Sequence, residues 1–281
     1  MSYIKSAVSC FLRQESSIRT NNKLENRKRL LATKVCILFG LGCTSAMFAA
    51  TPEPVAPQGT NFGAVTPQRV SFNGYPYVVT YVNGHFEAAL GNGTVGAIKG
   101  TAAINIPKSI QFEGKDIPVT AIKRHAFQNW EGTDVTFAED SVLQRIEAFA
   151  FHSSNLKRIN LPESLISIEN TAFCATQLKS IRIPSKLAII PEGCFAHCSE
   201  LESVEVAPGS ALVEFGHSAF AGDRKLRSFN IPNTVNTVGG ECFSGCNDLS
   251  FPADWEPRIV KEGGFRGCRS ESAKRFLNRN D

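Results

Sequence analysis

The sequence predicts a repeat solenoid, mainly β with short helical or irregular turns, closed at its N-terminal end by β-hairpins. Two observations carry this. An Ala/Cys/Gly-Phe pair recurs seven times, at Phe127, Phe151, Phe173, Phe195, Phe220, Phe243 and Phe265, with steps of 24, 22, 22, 25, 23 and 22 residues. A second pattern, Leu-x-x-Ile-x-Ile-Pro-x-x-Leu-x-x-Ile, fills the intervals. The composition agrees: twenty Phe stand against four Tyr and two Met, as expected when one residue type fills one kind of site many times.

In chain order, Arg27, Lys28, Arg29 and Lys34 precede an apolar run from Val35 to Ala50 that ends in small residues. A basic start, a short apolar stretch and small residues at its close describe an export signal. The sixteen residues of the run fall short of the roughly 20 that a membrane-spanning helix needs. Residues 1–50 are therefore expected to be a signal peptide with a long basic start. A membrane anchor and a buried helix are the competing readings. Leu41-Gly42-Cys43 is a weak lipidation motif, because Gly40 stands where Leu is usual, so the membrane enters only through this leader or a lipid on Cys43. Residues 51–67, with Pro52, Pro54, Pro57 and Pro67, suit a solvated linker.

Charge follows the same division. Of 30 basic and 26 acidic residues, the first fifty positions hold eight and two, leaving 22 and 24 for the rest. The net charge beyond the leader is thus about −2, and no global basic field points to nucleic acid.

Residues 68–103 are expected to form hairpins that cover the open end of the solenoid. Asn73-Gly74, Asn83-Gly84 and Asn92-Gly93 are each flanked by β-forming residues, and Asn-Gly takes the positive φ of a two-residue turn cheaply. Asn92-Gly93-Thr94 is also a glycosylation sequon in a eukaryotic secretory route.

Residues 104–281 are expected to form a solenoid of about seven coils. The interval pattern reads Leu156, Ile159, Leu161, Pro162, Leu165, Ile168 in one copy and Leu178, Ile181, Ile183, Pro184, Leu187, Ile190 in the next. It continues as Leu201, Val204, Val206, Pro208, then Leu226, Phe229, Ile231, Pro232, Val235, Val238, and degrades to Leu249, Phe251, Pro252, Ile259. Ile-x-Ile is a strand alternating inward and outward, and the Pro ends it. A coil of this length cannot bury its own apolar face, whereas stacked neighbours can. The position before each Phe must stay small where the turn approaches the next coil. The tail from Ser270 to Asp281 reads as a short polar cap.

A period in the range of 20 to 29 residues is that of leucine-rich repeats. Ala-Phe-x-x-Cys followed by Leu-x-x-Ile-x-Ile-Pro resembles the BspA-like leucine-rich repeats of bacterial and some protist surface proteins, over roughly Ile104 to Cys268. Phe112-Glu113-Gly114-Lys115, running into Ile117, Val119 and Ile122, resembles the strand-turn-strand that opens such arrays. Trp130, Ser154, Thr176 and Asp223 depart from the motif Cys, and Phe137-Ala138 replaces Ile-Pro. The resemblance implies a leucine-rich-repeat-type fold and an exported, secreted or cell-surface protein of the adhesion type. Its partner would be an extracellular or host protein, matrix proteins included, or a glycan. The competing reading is a structural envelope or matrix component with no foreign ligand.

The sequence offers no chemistry beyond this. It contains no Gly-rich phosphate loop, His-Glu-x-x-His or Gly-x-Ser-x-Gly, so no enzyme, cofactor or metal is expected. Cys194-x-x-x-Cys198 and Cys242-x-x-x-Cys246 would suit a metal, but their places in the repeat read as core thiols. A Cys246–Cys268 disulfide is the other alternative. The five His are expected in exposed turns. Binding is expected on the outward strand residues, Lys157, Arg158 and Asn160; Lys179 and Arg182; Glu202 and Glu205; Arg227 and Asn230. The bland alternative is that these charges only keep the sheet soluble.

Overall fold

The computed structural model describes residues 66–277. The leader, Cys43 and nearly all of the Pro-rich stretch lie outside the described residues.

The chain enters as an antiparallel meander, β1 (Gln68–Phe72), β2 (Tyr75–Val82) and β3 (His85–Leu90). Asn73-Gly74 and Asn83-Gly84 make its two turns, all four residues at positive φ, which is what a tight hairpin demands. Asn92-Gly93 behaves differently from the hairpin expected. No strand lies between Leu90 and Ile104. The Asn92 side-chain oxygen instead accepts bonds from the Thr94 amide and hydroxyl, at 3.0 and 2.6 Å. That local Asx turn competes with a hairpin ladder for the backbone.

After β4 (Ile104–Ile106) come a tight hairpin of β5 (Ser109–Phe112) and β6 (Lys115–Ile122), then β7 (Asp134–Phe137) and β8 (Arg145–Ile146). From there most coils contribute two short strands. These are β9 (Arg158–Ile159) and β10 (Ser167–Ile168), β11 (Ser180–Ile183) and β12 (Ile189–Ile190), then β13 (Ser203–Val206) and β14 (Glu214–Phe215). β15 (Ser228–Phe229), β16 (Thr237–Val238) and β17 (Ile259–Val260) follow, and helix α1 (Glu271–Leu277) closes the described chain.

The strands line two sides of the coil. One side carries parallel β4-β7-β9 and β11-β13-β15; the other carries β1-β2-β3-β6-β8-β10, with β5 on β6, and β12-β14-β16-β17. Both sides break between the same two coils: β9 is not laddered to β11, nor β10 to β12. Ile159, Ile181, Ile183, Val204, Val206, Phe229 and Ile231 all point inward and are buried, as the alternation of a strand requires.

A third side, without strands, stays continuous across that break. In successive coils the Phe amide donates to the carbonyl of the small residue before the next Phe. Phe127 bonds Ala150, Phe151 bonds Ala172, Phe173 bonds Cys194, Phe195 bonds Ala219, Phe220 bonds Cys242 and Phe243 bonds Gly264, all at 2.7–2.9 Å. Two columns of left-handed residues flank this ladder. Two places before Phe stand His125, Phe149, Thr171, Gly193, Ser218, Glu241 and Gly263, every one at positive φ. Two places after it stand Asn129, Ser153, Ala175, His197, Gly222, Gly245 and Gly267, likewise positive. Such a conformation costs a non-glycine residue of order 1 kcal/mol or more. Here it turns the amides of both columns toward the next coil, where His125, Phe149, Thr171 and their equivalents find carbonyl partners.

Inside, the anchor rings form one stack. Successive centroids from Phe127 to Phe265 lie 4.7, 5.0, 5.4, 5.5, 5.6 and 5.6 Å apart, with planes within 25° of parallel. All seven rings are buried. The degraded copy slips by one residue: Val260 pairs with Val238, and Ile259 is left outside, 52% exposed. Trp255 fills the space, its indole N–H donating to the Val235 carbonyl at 2.9 Å. The tail is more than polar. Phe276 of α1 stacks on Phe265 at 4.6 Å and is fully buried with Ala273, so an amphipathic helical turn covers the last coil.

Candidate protein-interaction surface

The nine residues expected to bind are all solvent-exposed, because each stands on or beside a strand whose alternate residues are inside. Register brings most of them together. Arg182 lies opposite Glu205. The Glu202 amide bonds the Lys179 carbonyl, and the Arg227 amide bonds the Glu202 carbonyl, at 2.8 and 3.0 Å. Lys179, Glu202 and Arg227 therefore form one row, and Arg182, Glu205 and Asn230 another. Lys157, Arg158 and Asn160 belong to the neighbouring coil, beyond the break in the strands.

The arginines on this face are already engaged. Arg158 pairs with Asp134, Arg182 with Glu163 and more loosely with Glu205, and Arg227 with Asp248 at 3.9 Å. The Arg182 guanidinium bonded to Glu163 holds that carboxyl below its usual range. The Thr133 hydroxyl and Arg158 do the same for Asp134. Asn230 has a structural task. Its side-chain oxygen accepts the Val206 amide at 2.6 Å and its NH₂ donates to the Val206 carbonyl at 3.0 Å. The side chain thus imitates a strand and extends the ladder where β15 stops at Phe229.

Sequence reasoning missed an aromatic and cationic cluster on the turn side. Phe149, half-buried, stacks on His125 at 5.1 Å and meets His152 edge-on at 5.7 Å, with the Arg124 guanidinium 5.5 Å from its ring. His125 and His152 are accordingly half-buried rather than exposed. Burial lowers the pKa of each, and Arg124 adds to this at His125 and His125 adds to it at His152. No sequence signal singled out Phe149, which sits outside the repeated Phe column.

The six cysteines of the described residues are free and buried. Cys198, Cys246 and Cys268, three places after the anchor Phe, donate to the carbonyls of Phe173, Phe220 and Phe243, at 3.1, 3.1 and 3.3 Å. Burial pushes the Cys268 thiol up to about 12 and those of Cys194, Cys198, Cys242 and Cys246 well above their ordinary value. A nucleophilic or metal-binding cysteine needs the opposite shift. Asp223 occupies the same column, 0% exposed, with neither carboxyl oxygen in a hydrogen bond.

Residues 120–250 match the model of the BspA type leucine rich repeat region, in six copies. No curated protein matches the chain. Among solved structures, the chain is similar to the pneumococcal vaccine antigen PcpA, with 24% identity and a TM-score of 0.56, covering 70% of this chain and 51% of that one. It is also similar to a leucine rich cell surface protein from Faecalibacterium prausnitzii A2-165, with 18% identity and a TM-score of 0.46, covering 72% and 56%. A further likeness is to a leucine rich repeat protein of T. pallidum, with 22% identity and a TM-score of 0.41, covering 60% and 85%. The chain spans about half the length of the first two. The repeat model fits where the stacked Phe rings, the paired strand sides and the turn ladder were found. Residues 120–250 of this chain are leucine-rich repeats of the BspA type.

Proposed function

We propose that the chain is an exported surface or secreted interaction module that binds a protein or glycan partner through its first strand side. One observation supports this most: two parallel sheets on one side of the coil expose Lys157, Arg158 and Asn160 beside β9, and Lys179, Arg182, Glu202, Glu205 and Arg227 in rows along β11-β13-β15. A solenoid presents such a surface without moving its core. The ion pairs on it offer little resistance to a partner, since exposed pairs contribute about 0.2–1 kcal/mol each. The type of the repeats supports the same reading. Self-pairing of Arg158, Arg182 and Arg227 favours the second reading, a structural envelope component whose charges serve one another.

The test is a panel of immobilised extracellular matrix proteins and glycans probed with the full chain and with an Arg158→Glu/Arg182→Glu double variant. Binding of the full chain to a panel member, weakened at least fivefold in the variant while its circular dichroism is unchanged, is the expected result. Equal binding by a folded variant, or no binding by either, overturns the proposal for this face.

A further inference from the structure

The strand face is charge-balanced; the N-terminal end of the second strand side is not. There an open cavity of about 380 Å³ lies over the outer surface of the hairpin unit. Tyr77 and Val79 of β2 belong to the core, so alternation turns Val78 and Thr80 outward to floor it. β1 puts Arg69 directly opposite Val78. The Lys123 amide bonds the Leu90 carbonyl at 2.7 Å, which brings Lys123 and Arg124 to the opposite wall.

The one carboxylate lining the cavity, Glu147, is fully used. One oxygen takes the Lys123 ammonium at 2.9 Å and the other takes the Arg124 backbone amide at 3.0 Å. Arg69 and Arg124 have no ion-pair partner among the described residues, in contrast to the paired arginines of the strand face. The Phe149 ring, held by His125 and His152, supports the Arg124 guanidinium from below. The cavity is therefore lined by two arginines without an ion-pair partner among the described residues, with Val78 and Thr80 on its floor.

We propose that this cavity is a second binding site, taking carboxylate side chains from an acidic peptide segment of a protein partner. Each guanidinium is a planar fork matched to a carboxylate, and Val78 covers the methylene stem of a glutamate. Peptide is favoured over an acidic sugar. The nearby Phe149 face, on which a sugar ring would stack, is occupied by Arg124 and His125. The inference goes beyond the strand-face reading and does not rest on it.

The experiment is fluorescence anisotropy of a labelled hexaglutamate peptide with the full chain, with labelled hexalysine and a labelled heparin fragment in parallel arms. Hexaglutamate should bind at low salt and weaken as salt rises. An Arg69→Gln/Arg124→Gln variant should weaken binding at least tenfold, whereas Arg158→Glu/Arg182→Glu should change it less than twofold, all with overlapping circular dichroism. The proposal is overturned by no hexaglutamate binding, by binding that ignores the Arg69 and Arg124 changes, or by binding of the heparin fragment alone. Because the two double variants lie on different sides of the coil, failure here and failure of the strand-face reading are separately visible.

Discussion

Replacing Asp223 with cysteine should stabilise the protein, and by an amount that grows with pH. Asp223 sits three places after Phe220, where neighbouring coils place Cys198 and Cys246. Those thiols each donate to the anchor Phe carbonyl of the coil before. The equivalent acceptor for Asp223 is the Phe195 carbonyl, which only a protonated carboxyl can address. The groups facing it are the thiols of Cys194, Cys198, Cys242 and Cys246, themselves pushed up by burial. No cation among them repays the loss of water, so desolvation raises the Asp223 pKa well above its ordinary value. A folded-state pKa above the unfolded one means that the folded chain holds the extra proton. Stability from this group is then fully present below the unfolded pKa and is lost as pH rises toward the folded one. While the folded carboxyl stays protonated, the loss is about 1.4 kcal/mol per pH unit, or about 2.7 kcal/mol between pH 5 and pH 7. Urea unfolding of the wild type and Asp223→Cys at pH 5, 6 and 7, followed by circular dichroism, measures it. The gap between the two should widen by that amount. A gap that stays constant over the range would show Asp223 ionised in the fold and refute the reasoning.

Two other substitutions probe the packing and the ladder. Phe173→Ala removes a fully buried ring stacked between Phe151 and Phe195, and thermal unfolding should report a loss of about 3–5 kcal/mol. Asn230→Ala deletes both bonds to Val206, which should lower denaturant stability by about 1–3 kcal/mol. A neutral result would return Asn230 to the set of free surface residues.

The anchor Phe column was legible because its period is nearly constant and its environment repeats, so every copy buries the same ring. The inward Ile and Leu positions were legible for the same reason. The left-handed columns were not. Phe149, Thr171 and Glu241 hold positive φ, and nothing in those residue types announces it; the inter-coil hydrogen bonds impose it. Ile259 was read as inward because the pattern was aligned by type, whereas the parallel register with β16 selects Val260. The strand-face residues could be named from alternation alone, but their ion pairs join Arg182 to Glu163 and Arg227 to Asp248 across coils, and Asn230 is spent on the backbone. The cavity lined by Arg69, Lys123, Arg124 and Glu147 gathers residues scattered over nearly eighty positions, with no motif to connect them. Asp223 stood out only as a departure from the motif Cys; its burial gives that departure a physical meaning.

The unbroken turn-side ladder also bears on how the array changes in length. Its bonds join equivalent atoms of consecutive copies, so excising one copy from any residue to its counterpart would leave donors and acceptors that still match. Copies of 22 to 25 residues already coexist, and the surplus is taken up away from the Phe turn. Lineages and engineers alike can therefore lengthen or shorten the scaffold by whole modules, resizing the area it offers to a partner while leaving the rules of the interior unchanged.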